Sequence, residues 1–245
     1  MFKAVFVPTV MVAALVAGGA DAADLAPRPV EPVAPVYTPY DWSGPYIGLH
    51  AGYGWGREND NYSENGPLLP PTPAQTQSVA DHFNMNGFVG GAHAGYNYQI
   101  NQFVIGGEVD IDYADLKGSH RYSYYGGGWS GRLQMKSEWQ GSARLRAGYA
   151  LDNILLYATG GIAFANGKLS DSGQYFGTAY GTSDTNTHIG WTIGAGAEYA
   201  FTQNWIGRLE VRYTDFQKKR YVVTDPSVKA GWNQTTVNLG ISYKF

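Results

Sequence analysis

From residue 44 to the C-terminus, apolar and polar side chains alternate one by one in eight separate runs, and no long segment places apolar residues at 3.6-residue spacing. A period of two is the mark of a β-strand with one face in an apolar medium, because successive side chains point to opposite faces. In the first run, Gly44 to Gly56, one face carries Ile47, Leu49, Ala51, Tyr53 and Trp55, and the other carries Tyr46, Gly48, His50, Gly52 and Gly54. The third, Phe103 to Ala114, sets Phe103, Ile105, Val109, Ile111 and Tyr113 against Val104, Gly106, Glu108, Asp110 and Asp112. The fifth, Ile154 to Ala165, is apolar on both faces; we aim Leu156, Ala158, Ile162 and Phe164 outward, and Tyr157 and Thr159 inward.

The connections alternate as well. Short ones fall near residues 100–102, 150–153 and 202–204, and long ones span about 57–85, 115–134, 166–186 and 217–231. Short turns at one end and long loops at the other are the asymmetry of a transmembrane β-barrel. Runs of roughly ten residues suit tilted strands crossing a hydrocarbon layer. The expected fold is therefore all-β: an eight-stranded antiparallel up-and-down transmembrane barrel with short periplasmic turns and long outer loops.

A soluble carrier with its apolar face inside is the competing architecture, and composition separates the two. Only 15% of the 245 residues are charged, and 33 are Gly. A soluble barrel needs an outer face rich in Lys and Glu, whereas the polar faces here are mostly Gly, Ser, Thr and Asn. Aromatic residues near the ends of the apolar faces, such as Trp139 and Tyr149 or Trp205 and Tyr213, match two interfacial girdles. A formal charge of −3 gives no basic footprint for nucleic acid. The lack of Cys removes disulfides, thiolate metal sites and cysteine nucleophiles.

Residues 1–22 read as a secretory signal: Lys3, an apolar stretch from Val5 to Ala17, and a small-x-small site at Ala20-Asp21-Ala22. The stretch is shorter than the ~20 apolar residues of a membrane span. Residues 23–42 hold five prolines and read as an extended spacer with no packed core. Residues 43–245 form the barrel.

The signal, the spacer, the Asp41-Trp42-Ser43-Gly44-Pro45-Tyr46-Ile47-Gly48 start and the final Tyr243-Lys244-Phe245 resemble the small outer-membrane β-barrel proteins of alpha-proteobacteria, the immunogenic, porin-like proteins related to the membrane domain of OmpA. The resemblance covers essentially the whole mature chain. It implies a surface-exposed antigen in the outer membrane of a Gram-negative bacterium. It also implies outer-membrane lipid, periplasmic chaperones and the barrel-assembly machinery as partners. In such proteins the last strand is the assembly signal, here Val237, Leu239, Ile241, Tyr243 and Phe245. Neither the residues nor the resemblance sets an oligomeric state.

Eight strands leave a bore that side chains just fill. The inward candidates are Glu108, Asp110 and Asp112 on the third run, Glu138, Arg144 and Arg146 on the fourth, Glu198 on the sixth, Arg208, Glu210 and Arg212 on the seventh, and Lys244 on the last. Level hairpin ends place Glu108 opposite Arg144, and Glu198 opposite Arg208. Because an unpaired buried charge is costly, near-balance favours a paired plug. His50 and His93 fall on adjacent runs and are candidate lumenal ligands; the resemblance adds haemin as a candidate ligand. There is no third ligand nearby, so no cofactor or metal is expected. No Gly-x-Ser-x-Gly elbow or phosphate-cradling Gly loop is present. The expected function is structural, with a lumen filled by a polar and charged network and loops outside the cell, and no catalysis. A haemin or small-ligand receptor and a narrow ion-conducting pore stay open as alternatives.

Overall fold

A computed structural model describes residues 39–58, 84–124, 128–222 and 228–245. The signal segment, residues 23–38 of the Pro-rich stretch and the connection over 59–83 lie outside the described residues. Eight antiparallel strands, β1 (Gly44–Glu58), β2 (Asn84–Ile100), β3 (Phe103–Tyr124), β4 (Trp129–Leu151), β5 (Ile154–Tyr175), β6 (Thr178–Ala200), β7 (Trp205–Tyr221) and β8 (Val228–Lys244), form a closed barrel in sequence order. β8 closes on β1, with Tyr46 opposite Lys244 and Trp55 opposite Thr235. Closure leaves no unpaired edge, which hydrocarbon would penalise. The periplasmic turns are tight. Asn101 and Asp152 take positive φ of 55° and 53° there, a conformation that Asn and Asp tolerate best after Gly.

The lower half of the barrel has the expected facing. Leu49, Ile105, Leu145, Ile193, Leu209 and Leu239 lie exposed on the outer wall, while Glu108, Arg144, Glu198 and Arg208 are buried inside. In β5, Leu156, Ala158 and Ile162 point out, and Tyr157 and Thr159 point in. Phe103, Tyr149, Tyr199, Trp205 and Tyr243 ring the periplasmic end of the apolar band, and Tyr53, Phe88, Tyr113, Trp139, Trp191 and Tyr213 ring its outer end. In β3 ten residues separate Phe103 from Tyr113, the length that a tilted strand needs for an apolar band about 25 Å tall.

The long outer connections are the first correction. Most of residues 115–134 and 166–186 continue as paired strand, and β5 turns into β6 through Phe176 and Gly177 alone, both at positive φ. These segments escape a reading based on one apolar face because their polarity is inverted. Above the outer girdle, Ala114, Leu116, Met135, Leu169, Phe216, Tyr221 and Trp232 point inward as one apolar cluster. Lys117, Lys136 and Lys168 point outward. The inversion follows the solvent: hydrocarbon outside the lower barrel, water outside the upper one.

Glu138 is the second correction. It lies on the outer wall, 3.5 Å from Lys136 Nζ, and not in the lumen. The pairing slips by one residue between Tyr113 and Leu116 on β3, and between Lys136 and Gln140 on β4. At the β4 slip, the Asn166 side-chain carbonyl accepts the N–H groups of both Glu138 and Trp139 at 2.9 Å, so both side chains turn outward. On β4 this reverses the facing beyond the slip, so that Ser137 and Met135 point inward, whereas β3 keeps its phase from Tyr113 to Lys117. Asn166→Ala should cost about 1 kcal/mol, because water reaches both freed N–H groups; urea unfolding in lipid vesicles measures it.

The third correction concerns the end of the spacer. Tyr40 and Trp42 are buried against Val104, Ala150, Leu155, Tyr157, Ala200 and Ile206 and close the periplasmic mouth. Trp42 donates through Nε1 to the Asp152 carbonyl at 3.1 Å, and its N–H reaches Gln99 Oε1 at 2.7 Å. The Tyr40 hydroxyl donates to the Gln203 carbonyl at 3.1 Å, and burial pushes its phenol up to about 12.

Candidate functional site

Between the two apolar tiers the bore holds a charge cluster. β3 supplies Glu108, Asp110 and Asp112; β4 supplies Arg144 and Arg146; β6 supplies Glu198; β7 supplies Arg208, Glu210 and Arg212. All nine are at most 9% exposed. They face inward because each sits at an even-phase position of a strand whose odd-phase residues meet lipid. Neighbouring glycines make the space. A Cβ on Gly95 would collide with the Tyr46 phenol, and one on Gly196 would lie 2.6 Å from the Tyr157 ring. Those two rings fill the bore in their place.

The two pairs expected from level hairpins are present. Arg144 lies opposite Glu108 and donates through Nη2 to Oε1 at 2.5 Å. Arg208 lies opposite Glu198 and donates through Nε to Oε1 at 2.8 Å. Bonds across the bore go beyond adjacent strands. Arg208 Nη2 reaches Glu108 Oε2 at 2.5 Å, and Arg144 Nη1 reaches Glu210 Oε1 at 2.8 Å, each joining opposite walls. Arg212 bridges Asp110 at 3.1 Å and Glu210 at 2.9 Å. Arg146 holds Glu198 at 2.9 Å and donates to Tyr46 Oη at 2.7 Å, and Tyr46 in turn donates to Glu108 at 2.8 Å. Tyr157 donates to Glu210 at 2.9 Å. The two tyrosines complete the network, and their apolar bodies hide them from a search for charges.

Four guanidiniums thus face five carboxylates. The fifth, Asp112, lies 3.7 Å from Arg212 Nη1 through Oδ2 and has His50 Nε2 2.7 Å from Oδ1. His50 Nδ1 and His93 Nδ1 are 3.1 Å apart, and His93 Nε2 lies 2.8 Å from Ser242 Oγ. Two hydrogen bonds link Ser242, His93 and His50, and His50 Nε2 approaches Asp112 closely without hydrogen-bond geometry. Three of the four ring nitrogens of the candidate ligands are hydrogen-bonded, and the fourth, His50 Nε2, is packed against Asp112. Among the described residues no three His, Cys, Asp or Glu side chains converge on a metal position. His188 lies higher, fully buried, with Nε2 2.6 Å from Tyr221 Oη and its ring edge-on to Trp232.

Lys244 is buried but stands apart from this cluster. Its ammonium donates to the Asp41 carbonyl and lies 4.6 Å from the Tyr40 ring centroid, pinning the N-terminal strap to the last strand. Of the assembly-signal residues, Leu239, Ile241 and Phe245 are exposed on the lipid-facing wall. Tyr243 packs edge-on against Trp205 and Phe245.

A closed barrel with an aromatic-bounded apolar wall and a charged bore defines a transmembrane β-barrel of the outer-membrane type. A family model described as the outer membrane protein beta-barrel domain matches residues 11–245, and the chain belongs to that family. It is 37% identical over 240 residues to the 31 kDa outer-membrane immunogenic protein of Brucella melitensis biotype 1, covering 96% of this chain and 97% of that one. It is 33% identical over 219 residues to the 25 kDa outer-membrane immunogenic protein of Brucella canis, with 89% and 84% covered. With the 22 kDa outer membrane protein of Rhizobium leguminosarum bv. viciae it shares 39% identity over 160 residues, 65% of this chain and 67% of that one. Among solved structures, the outer membrane protease OmpT from Escherichia coli superposes with a TM-score of 0.50 at 9% identity, covering 86% of this chain and 99% of that one, a likeness of fold alone. The protein is an outer-membrane protein of a Gram-negative bacterium.

Proposed function

We propose that this is a structural outer-membrane protein, with a lumen closed to ions and outer segments displayed outside the cell. One observation carries the reading: nine buried charged side chains engage one another between two apolar tiers, Tyr40 and Trp42 below and the cluster around Leu116, Met135 and Trp232 above. An ion entering from either side would have to leave water and pass side chains packed across the bore, mostly apolar, with their few polar groups already engaged with one another, which is costly. Planar-bilayer recording on refolded protein tests this. Conductance should be low or undetectable; a large, steady conductance would replace the plug with a porin.

No catalytic role is proposed. The Asp112–His50–His93–Ser242 chain has the donors and acceptors of a proton relay, but Ser242 is 1% exposed and faces a filled bore where no substrate has access. A haemin receptor using His50 and His93 would first have to break the contacts of both rings with Asp112 and Ser242.

The family's reading of the last strand makes the barrel-assembly machinery a proposed partner. Phe245 is the exposed end of that strand, and its N–H donates to the Pro45 carbonyl at 3.1 Å. Deleting Phe245 should sharply reduce outer-membrane insertion in cells while refolding into detergent stays largely intact. Cell fractionation beside in-vitro refolding separates the two, and normal insertion of the deletion variant would remove the assignment.

A further inference from the structure

The outer wall just above the outer girdle carries a lateral row of amines. Lys117 on β3 pairs in register with Lys136 on β4, and Lys136 pairs with Lys168 on β5. All three side chains point outward. With neighbouring strands about 4.8 Å apart, the three stems stand side by side across roughly 10 Å. Further out, Arg121 and Arg132 pair in register on the same wall and are also exposed. The row is flanked by uncharged neighbours, Asn86 on β2 and Thr185 on β6.

Two carboxylates share this wall. Asp115 lies 2.6 Å from Lys117 Nζ, and Glu138 lies 3.5 Å from Lys136 Nζ. Among the described residues no carboxylate pairs with Lys168, Arg121 or Arg132. Five cations against two anions leave a formal excess of three positive charges. The excess has a definite height. Tyr113 and Trp139, paired in the outer girdle, lie directly below the row, so the amines stand where hydrocarbon ends and headgroups begin. Lysine stems can run along the apolar wall and place their ammonium groups among lipid phosphates.

We propose that this face of β3–β5 is a binding site for phosphorylated glycolipid headgroups of the outer leaflet. The lysine row meets the phosphates and the two arginines meet the anionic groups beyond them. Charge complementarity and height together select this occupant. A soluble polyanion would match the charge but has no reason to sit against the girdle.

The test uses the full mature chain, refolded into vesicles of phosphatidylcholine mixed with bisphosphorylated lipid A or with its dephosphorylated form. Lipid retained on the barrel after mild detergent extraction is counted by native mass spectrometry. The wild type should retain phosphorylated lipid A several-fold over phosphatidylcholine and lose that preference with the dephosphorylated lipid. Each amine near an anionic surface contributes roughly a fivefold factor. The triple variant Lys117→Gln, Lys136→Gln, Lys168→Gln should therefore lower the preference at least about tenfold. The triple Lys→Arg variant should keep it and shows that substitution alone does not disturb the barrel. Equal retention of the phosphorylated and dephosphorylated lipids by the wild type, or undiminished retention by the glutamine triple, overturns the proposal. Capture of a soluble sulfated polysaccharide without lipid preference overturns it as well.

Discussion

Glu108→Ala should destabilise the barrel by about 3–5 kcal/mol, the loss expected when one partner of a buried ion pair is removed. Glu108 accepts from Arg144, Arg208 and Tyr46, and Arg146 Nη1 lies 3.6 Å away. Removing it leaves three buried guanidiniums to share Glu198, Glu210 and Asp110. Arg208→Ala should act in the same direction, because Glu198 and Glu108 both lose a donor. Either truncation also empties part of the bore. Unfolding free energy in lipid vesicles and single-channel conductance in planar bilayers should therefore change together, with stability falling and conductance rising. A small stability cost combined with unchanged high conductance would mean that water already screens these charges, and the plug would be discarded. Replacing the pair together by Glu108→Met and Arg208→Leu should recover much of the loss, since well-packed apolar residues can substitute for a buried ion pair.

The outer wall makes the second large prediction. Leu145 and Leu209 sit near the middle of the apolar band, and Leu145 is 76% exposed to whatever surrounds the barrel. Leu145→Arg or Leu209→Arg should cost about 2–4 kcal/mol near the bilayer midplane. Gln134 also points outward on β4 but stands above the interface. Gln134→Arg should stay within about 0.5 kcal/mol of wild type, as surface changes in water do. Measured on one strand, the pair Leu145→Arg and Gln134→Arg locates the boundary where the outer medium changes. Equal stability of Leu145→Arg and wild type would mean that this side chain does not face hydrocarbon.

Eight strands, their order and the facing of the membrane-spanning half are legible in the chain. The alternation of Phe103, Ile105, Val109 and Ile111 with Val104, Gly106, Glu108 and Asp110 records the medium on each side of the strand. Level short turns at 101–102 and 152–153 then pair Glu108 with Arg144, and the turn at 201–204 pairs Glu198 with Arg208. The upper barrel was readable in principle, because Leu133 and Met135 alternate with Gln134 and Lys136. Its polarity is inverted, so the segment lacks the outward apolar face that marks the membrane-spanning strands.

Glu138 shows where local pattern stops. Its facing depends on one slipped residue held by Asn166, which lies on another strand. Tyr40 and Trp42 follow a proline-rich segment, and only the open periplasmic mouth beneath Leu155 and Ile206 makes burying them favourable. The alternation determined the strands and what each face meets, because periodicity is a property of consecutive residues. The contacts of Arg208 with Glu108 and of Arg144 with Glu210 were decided by barrel closure. These partners stand on opposite walls, and only the curvature and stagger of the whole sheet set the distance between them.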